Sequence, residues 1–397
     1  MTISKKIEGF ISQSSWIRKM FEEGANLKQL YGADRVFDFS LGNPNVAPPE
    51  KFKELLRAVA VADMPNKHGY MPNAGYMETR EAVARYQGAQ RGVPLSGEHI
   101  IMTCGAGGAL NVILKALLNA GDEVIILTPY FVEYRFYVDN AGGVSILVKT
   151  QSDFSLDLPA INAAITEKTK AILINSPHNP TGKVYDAVSI NGLGDILREK
   201  SRALGKDIYL ISDEPYVDIV YDGIKVPSIL AAYKNSIVAT SYSKSLSLPG
   251  ERIGYLAVNP EAAEAEKVLE AAILCNRILG FINAPAIMQR VVADLQGVRV
   301  AVAEYARKRD LLCDGLAALG YNFHKPAGAF YLFPRSPIDD DVLFVKTLLE
   351  EKIITVPGSG FGSPGFFRIS YCVEDATIIN AMEGFGKAMK RFANTKQ

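Results

Sequence analysis

The chain has 397 residues, 48% of them hydrophobic and 22% charged, ordinary globular usage that excludes a disordered, fibrous or coiled-coil protein. That length exceeds the size at which one hydrophobic core stops growing, so two lobes are expected. Lys plus Arg and Asp plus Glu both total 43, so no long-range positive field gathers nucleic acid or an anionic membrane, and any anion must be held locally.

In chain order, the first forty residues carry a weak helical pattern and then a short strand over 37–40, read as packing on the C-terminal part. From about residue 99, short apolar runs alternate with amphipathic stretches, the signature of helices crossing over a mostly parallel sheet. Strands are predicted at 100–103, 123–127, 144–148, 171–175, 208–212, 237–240 and 254–258, with helices near 109–118, 158–165 and 190–204. Runs this rich in Val, Ile and Leu are covered on both faces. After Pro260 the pattern turns to long helices, 304–319 being the most regular, then to strands at 330–333, 353–356 and 367–371 and a closing helix after Glu374. The expected fold is α/β: a mostly parallel seven-stranded sheet with flanking helices, plus a smaller α/β domain drawn from both termini. The expected division is 1–44 as an N-terminal arm and part of the small domain, 45–287 as the large domain and 288–397 as the small C-terminal domain.

Polar residues collect where the predicted strands end, the edge at which open α/β sheets bind ligands. After the first strand, Gly105-Ala106-Gly107-Gly108 opens a helix, and the free amides and positive dipole of a helix start suit an anion. A dinucleotide fingerprint would need glycine where Leu110 stands and an acid at the end of the next strand, and neither is present. The second strand leads to Phe131, an aromatic able to stack on a flat cofactor. The fourth runs into Pro177-His178-Asn179-Pro180-Thr181-Gly182, a rigid turn presenting Asn179, with His178 read as structural. The fifth ends in Asp213-Glu214-Pro215-Tyr216. Its carboxylate suits a protonated ring nitrogen, and Tyr216 suits a phenolate-like oxygen. The sixth ends in Ser241-Tyr242-Ser243-Lys244, with Arg252 eight residues beyond the lysine. A lysine nucleophile needs a site that lowers its pKa, and a serine with an arginine can hold a phosphate.

Taken together, from about Leu41 to Tyr371, these motifs resemble the fold-type I, class I/II aminotransferases. The resemblance implies pyridoxal 5'-phosphate as cofactor, with the large domain as its binding domain and Lys244 as the Schiff-base lysine and proton shuttle. Asp213 would pair with the ring nitrogen, Asn179 and Tyr216 would meet the phenolic oxygen, and Phe131 would stack on the ring. Ala106, Gly107, Ser241 and Arg252 would hold the phosphate. Phe367-Arg368-Ile369-Ser370 resembles the segment whose arginine forks onto the substrate α-carboxylate, and Leu41-Gly42-Asn43-Pro44 the segment that closes over it, so Gly42, Asn179 and Arg368 are the substrate-binding candidates. His68-Gly69-Tyr70 resembles the segment whose tyrosine reaches the phosphate of a second subunit, which implies a homodimer with shared sites. The family often has a hydroxyl or a long polar side chain where Gly107 and Gly108 stand, so phosphate binding here is expected to rest more on backbone amides.

The implied reaction is ping-pong transamination between an L-amino acid, such as glutamate, aspartate or an aromatic or apolar one, and a 2-oxo acid. Rivals on the same cofactor are β-elimination, decarboxylation and ring closure of a sulfonium substrate; a rival of another class is a non-catalytic regulator, for which the residues before Leu41 offer no DNA-binding module. Arg18 and Arg277 are candidates for a distal carboxylate, and Trp16, Tyr134 and Phe281 for an apolar side-chain pocket. The four cysteines and four histidines are scattered without metal-ligand or C-x-x-C spacing, so free thiols and no metal are expected. With no signal-peptide core and no unbroken apolar run of bilayer length, a cytoplasmic protein is expected.

Overall fold

The computed structural model describes residues 2–12 and 16–393. Twelve strands run in chain order: β1 (Phe37–Asp38), β2 (Ile100–Thr103), β3 (Glu123–Thr128), β4 (Val144–Lys149), β5 (Thr169–Asn175), β6 (Tyr209–Asp213), β7 (Ser236–Ser241), β8 (Gly254–Val258), β9 (Tyr331–Leu332), β10 (Ile353–Ile354), β11 (Val356–Pro357) and β12 (Phe367–Ser370). Seven of them form one sheet in the order β2-β8-β7-β6-β5-β3-β4. All neighbours pair in parallel except β8, which is antiparallel to both β2 and β7. The carboxyl ends of the other six strands therefore point to one edge, and β8 starts there.

The period-2 alternation explains why this sheet is buried on both sides. Ile100, Met102, Ile125, Leu127, Ile172 and Ile174 enter one apolar cluster, and their alternate neighbours Ile101, Val124, Ile126, Ala171 and Leu173 enter another on the opposite face. Helix Ala187–Leu204 covers the first face through Ile190, Leu193 and Leu197; helix Gly105–Leu117 covers the second through Leu110, Ile113 and Leu114. Only β4, at the edge, leaves apolar side chains, Val144 and Leu147, exposed.

A second core joins residues near both ends of the chain, with Val36 and Phe39 packed among Tyr305, Leu312, Phe330, Phe344 and Phe385. Here β1 pairs with β10 in parallel, while β11-β12-β9 form a small antiparallel sheet. Three predicted strands are revised, the run 330–333 shortening to Tyr331–Leu332. The run 353–356 is two strands in different sheets, and the run 37–40 stops at Asp38, whose carboxylate accepts from Ser40 N at 3.1 Å and Ser40 Oγ at 2.6 Å and so turns the backbone aside. Among the described residues no helix is long and apolar enough to cross a membrane, and no group of three His, Cys, Asp or Glu could hold a metal ion.

Candidate active site

A cavity of about 300 Å³ opens at the carboxyl edge of the large sheet, beneath the smaller lobe, and collects side chains from almost every strand end. Gly42, Ala106, Gly107, Phe131, Asn179, Asp213, Tyr216, Ser241, Lys244, Arg252 and Arg368 all line it. Tyr70 does not: it is 90% exposed. Of the residues singled out from sequence, it alone among the cofactor and substrate candidates stands outside the cavity of its own subunit.

The anion end is built by close approach. Gly105 begins the helix with a φ of +71°, and a Cβ there would lie 3.0 Å from Arg252 Nη2, so only glycine admits the guanidinium against the helix start. Arg252 is itself in the left-handed region at φ +51°, a conformation a non-glycine residue keeps only when its surroundings impose it. Its guanidinium is anchored on Pro249 O at 3.0 Å, beside the unpaired amides of the helix that Gly105, Ala106 and Gly107 open.

At the opposite end, Asp213 is buried at the end of β6. Tyr134 Oη donates to its Oδ2 at 2.6 Å, and Asn175 Nδ2 donates to its backbone oxygen at 2.7 Å. Oδ1 is buried with no hydrogen-bond partner among the described residues. Burial pushes this carboxyl up to about 7, against the Tyr134 hydrogen bond and with the help of the neighbouring Glu214 charge. An unpaired buried acceptor is costly unless a cation or donor is brought to it.

Lys244 lies on the short helix Tyr242–Ser245 that follows β7. Its Nζ donates to Gly42 O at 2.6 Å and sits 5.3 Å from the centre of the Phe330 ring. Burial lowers its pKa to about 8; the nearby Arg368 and Arg252 charges lower it too, while Cys372 opposes them. Arg368, fully buried on β12, donates to Asn179 Oδ1 at 3.1 Å and to Ser40 O, and its Nε has no partner among the described residues. Burial without a carboxylate lowers its pKa, so this guanidinium is poised for an anion.

Sequence reasoning missed Tyr331, Asn175 and Tyr137, and of its described candidates for the substrate side chain, Tyr134, Phe281 and Arg277, Tyr134 alone lines the cavity. Tyr331 Oη meets Tyr216 Oη at 3.0 Å and the Tyr331 ring lies under the Arg368 guanidinium, 4.7 Å away; a Cβ on Gly42 would fall 1.9 Å from that hydroxyl, so Gly42 is fixed by Tyr331. Asn175 ties the Asn179 turn to β6, accepting from Asn179 N at 2.6 Å. Tyr137 also lines the cavity. Tyr134, expected in a side-chain pocket, instead spends its hydroxyl on Asp213, because a phenol buried beside a carboxylate must donate to it. Phe281 packs against the sheet core near Gly108, Arg277 is exposed, and neither lines the cavity. The side chains of Trp16 and Arg18 lie outside the described residues. His178 is buried and bonded through Nδ1 to Thr181 Oγ1 at 2.8 Å, with burial lowering its pKa to about 3, so it is neutral and structural.

Residues 34–385 match the model of the family described as aminotransferase class I and II. The chain belongs to that family. The aspartate/prephenate aminotransferase of Thermus thermophilus is 35% identical over 91% of this chain and 92% of its own length. Aromatic-amino-acid aminotransferase 2 of Thermococcus litoralis is 32% identical over 98% of this chain and 99% of its own. Among solved structures, an amino transferase from Eubacterium rectale superposes with a TM-score of 0.96 at 38% identity, covering 99% of this chain and 100% of the other. The aminotransferase reading of the sequence therefore stands over its rivals on the same cofactor and over the regulator. The family implies pyridoxal phosphate, and amino acids and 2-oxo acids as substrates.

Proposed function

We propose that this aminotransferase holds pyridoxal 5'-phosphate in the cavity at the sheet edge, on Lys244, and uses it to exchange an amino group between an L-amino acid and a 2-oxo acid. The observation that carries the reading is the buried Oδ1 of Asp213, without a partner among the described residues, in the same cavity as a helix start suited to an anion. A ring with a protonated nitrogen at one end and a phosphate at the other satisfies both. When bound, the cofactor supplies an electron sink for the bond broken at the substrate Cα.

The chain's own residues do the rest. Asp213 Oδ1 would accept the ring N–H, and the charge met there would bring its pKa down from the value that burial raises. Phe131 stacks on the ring, Asn179 and Tyr216 approach its phenolic oxygen, and Ala106, Gly107, Ser241 and Arg252 take the phosphate. The substrate carboxylate forks onto Arg368, displacing its contact with Asn179. Lys244 Nζ, whose pKa burial lowers to about 8, takes the proton from the substrate Cα in its neutral form and returns it. The cations that line the cavity are Lys244, Arg252 and Arg368; with the first two engaged on the cofactor and the third on the α-carboxylate, none of them is left for a distal carboxylate. Leu41 and Tyr331 also line the cavity, which supports an aromatic or apolar side chain for one substrate, with glutamate the first candidate for the common amino donor, its distal group being met from outside this subunit's cavity.

The reading includes a cytoplasmic homodimer. The segment around Tyr70 is tied to that around Ile282, through Asn73 Nδ2 to Ile282 O at 3.1 Å and Asn276 Nδ2 to Asn73 O at 3.0 Å. Tyr70, Met77, Leu274 and Ile278 are exposed along these segments, apolar side chains of the kind a partner covers. The deciding experiment is borohydride reduction of the yellow protein followed by peptide mapping. The adduct is expected on Lys244, and an adduct on another lysine would sink the assignment of the site. Half-reaction spectra with each amino acid then rank the donors; conversion by glutamate and aspartate with none by phenylalanine or tyrosine would refute the aromatic or apolar side-chain preference.

A further inference from the structure

Where the sequence led us to expect a phosphate cradle resting on backbone amides, the structure supplies a hydroxyl from another helix. A Cβ built on Gly107 would meet Tyr137 Oη at 3.2 Å and Tyr137 Cζ at 3.9 Å, and, beyond its chain neighbours and its own helix backbone, no other atom within 4 Å. The space that a side chain at 107 would enter is thus filled by the Tyr137 phenol. Tyr137 lies one turn beyond Tyr134 on helix Glu133–Asn140, and that spacing puts both phenols on one helix face. Tyr134 reaches Asp213 at the ring-nitrogen end of the cavity; Tyr137 reaches the helix start at the phosphate end and lines the cavity with Ser241 and Arg252. Among the described residues, no protein group is hydrogen-bonded to its hydroxyl. Burial raises this phenol well above its ordinary pKa, against the pull of the Arg252 charge, so the hydroxyl keeps its proton and remains a donor.

We propose that Tyr137 is a phosphate-binding residue: its hydroxyl donates to the cofactor phosphate from the position that Gly107 leaves open. The inference rests on the cavity binding pyridoxal phosphate as argued above. It also accounts for the glycine. Any side chain at 107 would press on the Tyr137 oxygen, so the pair exchanges a short local side chain for a phenol delivered from the neighbouring helix.

The test is cofactor affinity of the apoprotein, read by absorbance as pyridoxal phosphate and, separately, pyridoxal are titrated in. Tyr137→Phe should weaken pyridoxal phosphate binding on the order of tenfold or more, the worth of a hydrogen bond to a charged group. Binding of pyridoxal, which lacks the phosphate, should stay as in the wild type. Adding Gly107→Ser to Tyr137→Phe should recover affinity, because without Oη the nearest atom to the new Cβ is Cζ at 3.9 Å. Unchanged pyridoxal phosphate affinity in Tyr137→Phe would overturn the proposal, as would an equal loss for both ligands. A wild-type protein that captured neither ligand on Lys244 would instead refute the reading of the cavity on which the proposal stands.

Discussion

On the proposed reading Lys244 acts as a neutral amine inside a site that also concentrates positive charge, and burial next to Arg368 and Arg252 favours that form. Its folded pKa is depressed to about 8, so the amine is protonated below that pH and free above it. Capture of pyridoxal phosphate by the apoprotein should therefore accelerate as pH rises and level off above about 8, where an unperturbed lysine would keep gaining to about 10.4. Arg368→Ala removes a repelling charge and should move that midpoint upward; stopped-flow absorbance across the pH range measures both. On the substrate side, Arg368→Lys should raise KM for all amino acids together, by roughly tenfold, since an ammonium cannot reproduce the planar fork. An effect confined to acidic substrates would mean that Arg368 is the distal cation. At this scale the sequence was informative wherever a residue type is constrained by chemistry near a strand end, as at Asp213, Asn179 and Lys244. It was silent on Tyr331 and Tyr137, whose hydroxyls are set by packing against Gly42 and Gly107, contacts between segments with no motif of their own.

Elements position these groups through a few buried connections, and the pair joining helix Met77–Arg91 to the end of β6 is the clearest. Arg91, the last residue of that helix, holds Glu214 at 2.7 Å with both side chains almost fully buried. Glu214 adjoins Asp213 and its charge raises the Asp213 pKa; Arg91 is its ion-pair partner. Arg91→Met should cost about 3–5 kcal/mol, because it leaves a buried carboxylate without its partner, and should also lift the Asp213 pKa further. The double change Arg91→Met with Glu214→Leu should recover much of the stability, since the pair's desolvation is removed with it. Denaturant unfolding of the wild type and the two variants checks this, and a double variant no more stable than Arg91→Met would contradict it. Element boundaries were legible where apolar periodicity reached them, β2 and β8 matching the expected spans to the residue. They failed where caps or glycines decide. Helix Gly105–Leu117 starts four residues before the apolar pattern because its first turn is glycine-rich, and helix Ala187–Leu204 starts three early because Asp186 caps it, accepting from Ser189 N at 2.7 Å.

For the whole molecule, the sheet with its strand-end residues could be read in order from the sequence, since alternating β and α patterns leave few right-handed topologies. The smaller lobe could not be drawn in detail, because its two-residue strands are held by pairings such as Phe37 with Ile353 that join opposite ends of the chain. The same limit applies to Tyr70, which stands 90% exposed on its own subunit and outside the cavity. If it completes the phosphate site of a second subunit, activity should depend on how lesions are distributed between two chains. On that reading subunits carrying Lys244→Ala would be inactive for want of the amine, and subunits carrying Tyr70→Phe would bind cofactor weakly in the partner's site. In a hybrid of the two, one site receives both lesions. The other combines an intact Lys244 from the Tyr70→Phe chain with an intact Tyr70 from the Lys244→Ala chain. Differently tagged subunits, co-expressed and purified through both tags, should therefore give hybrids with about half the wild-type activity per dimer and wild-type cofactor affinity at one site, as expected for one intact site of two. If each site were built within one chain, the hybrid would hold one dead site and one weakened site, and its cofactor titration would show only the weak affinity of Tyr70→Phe.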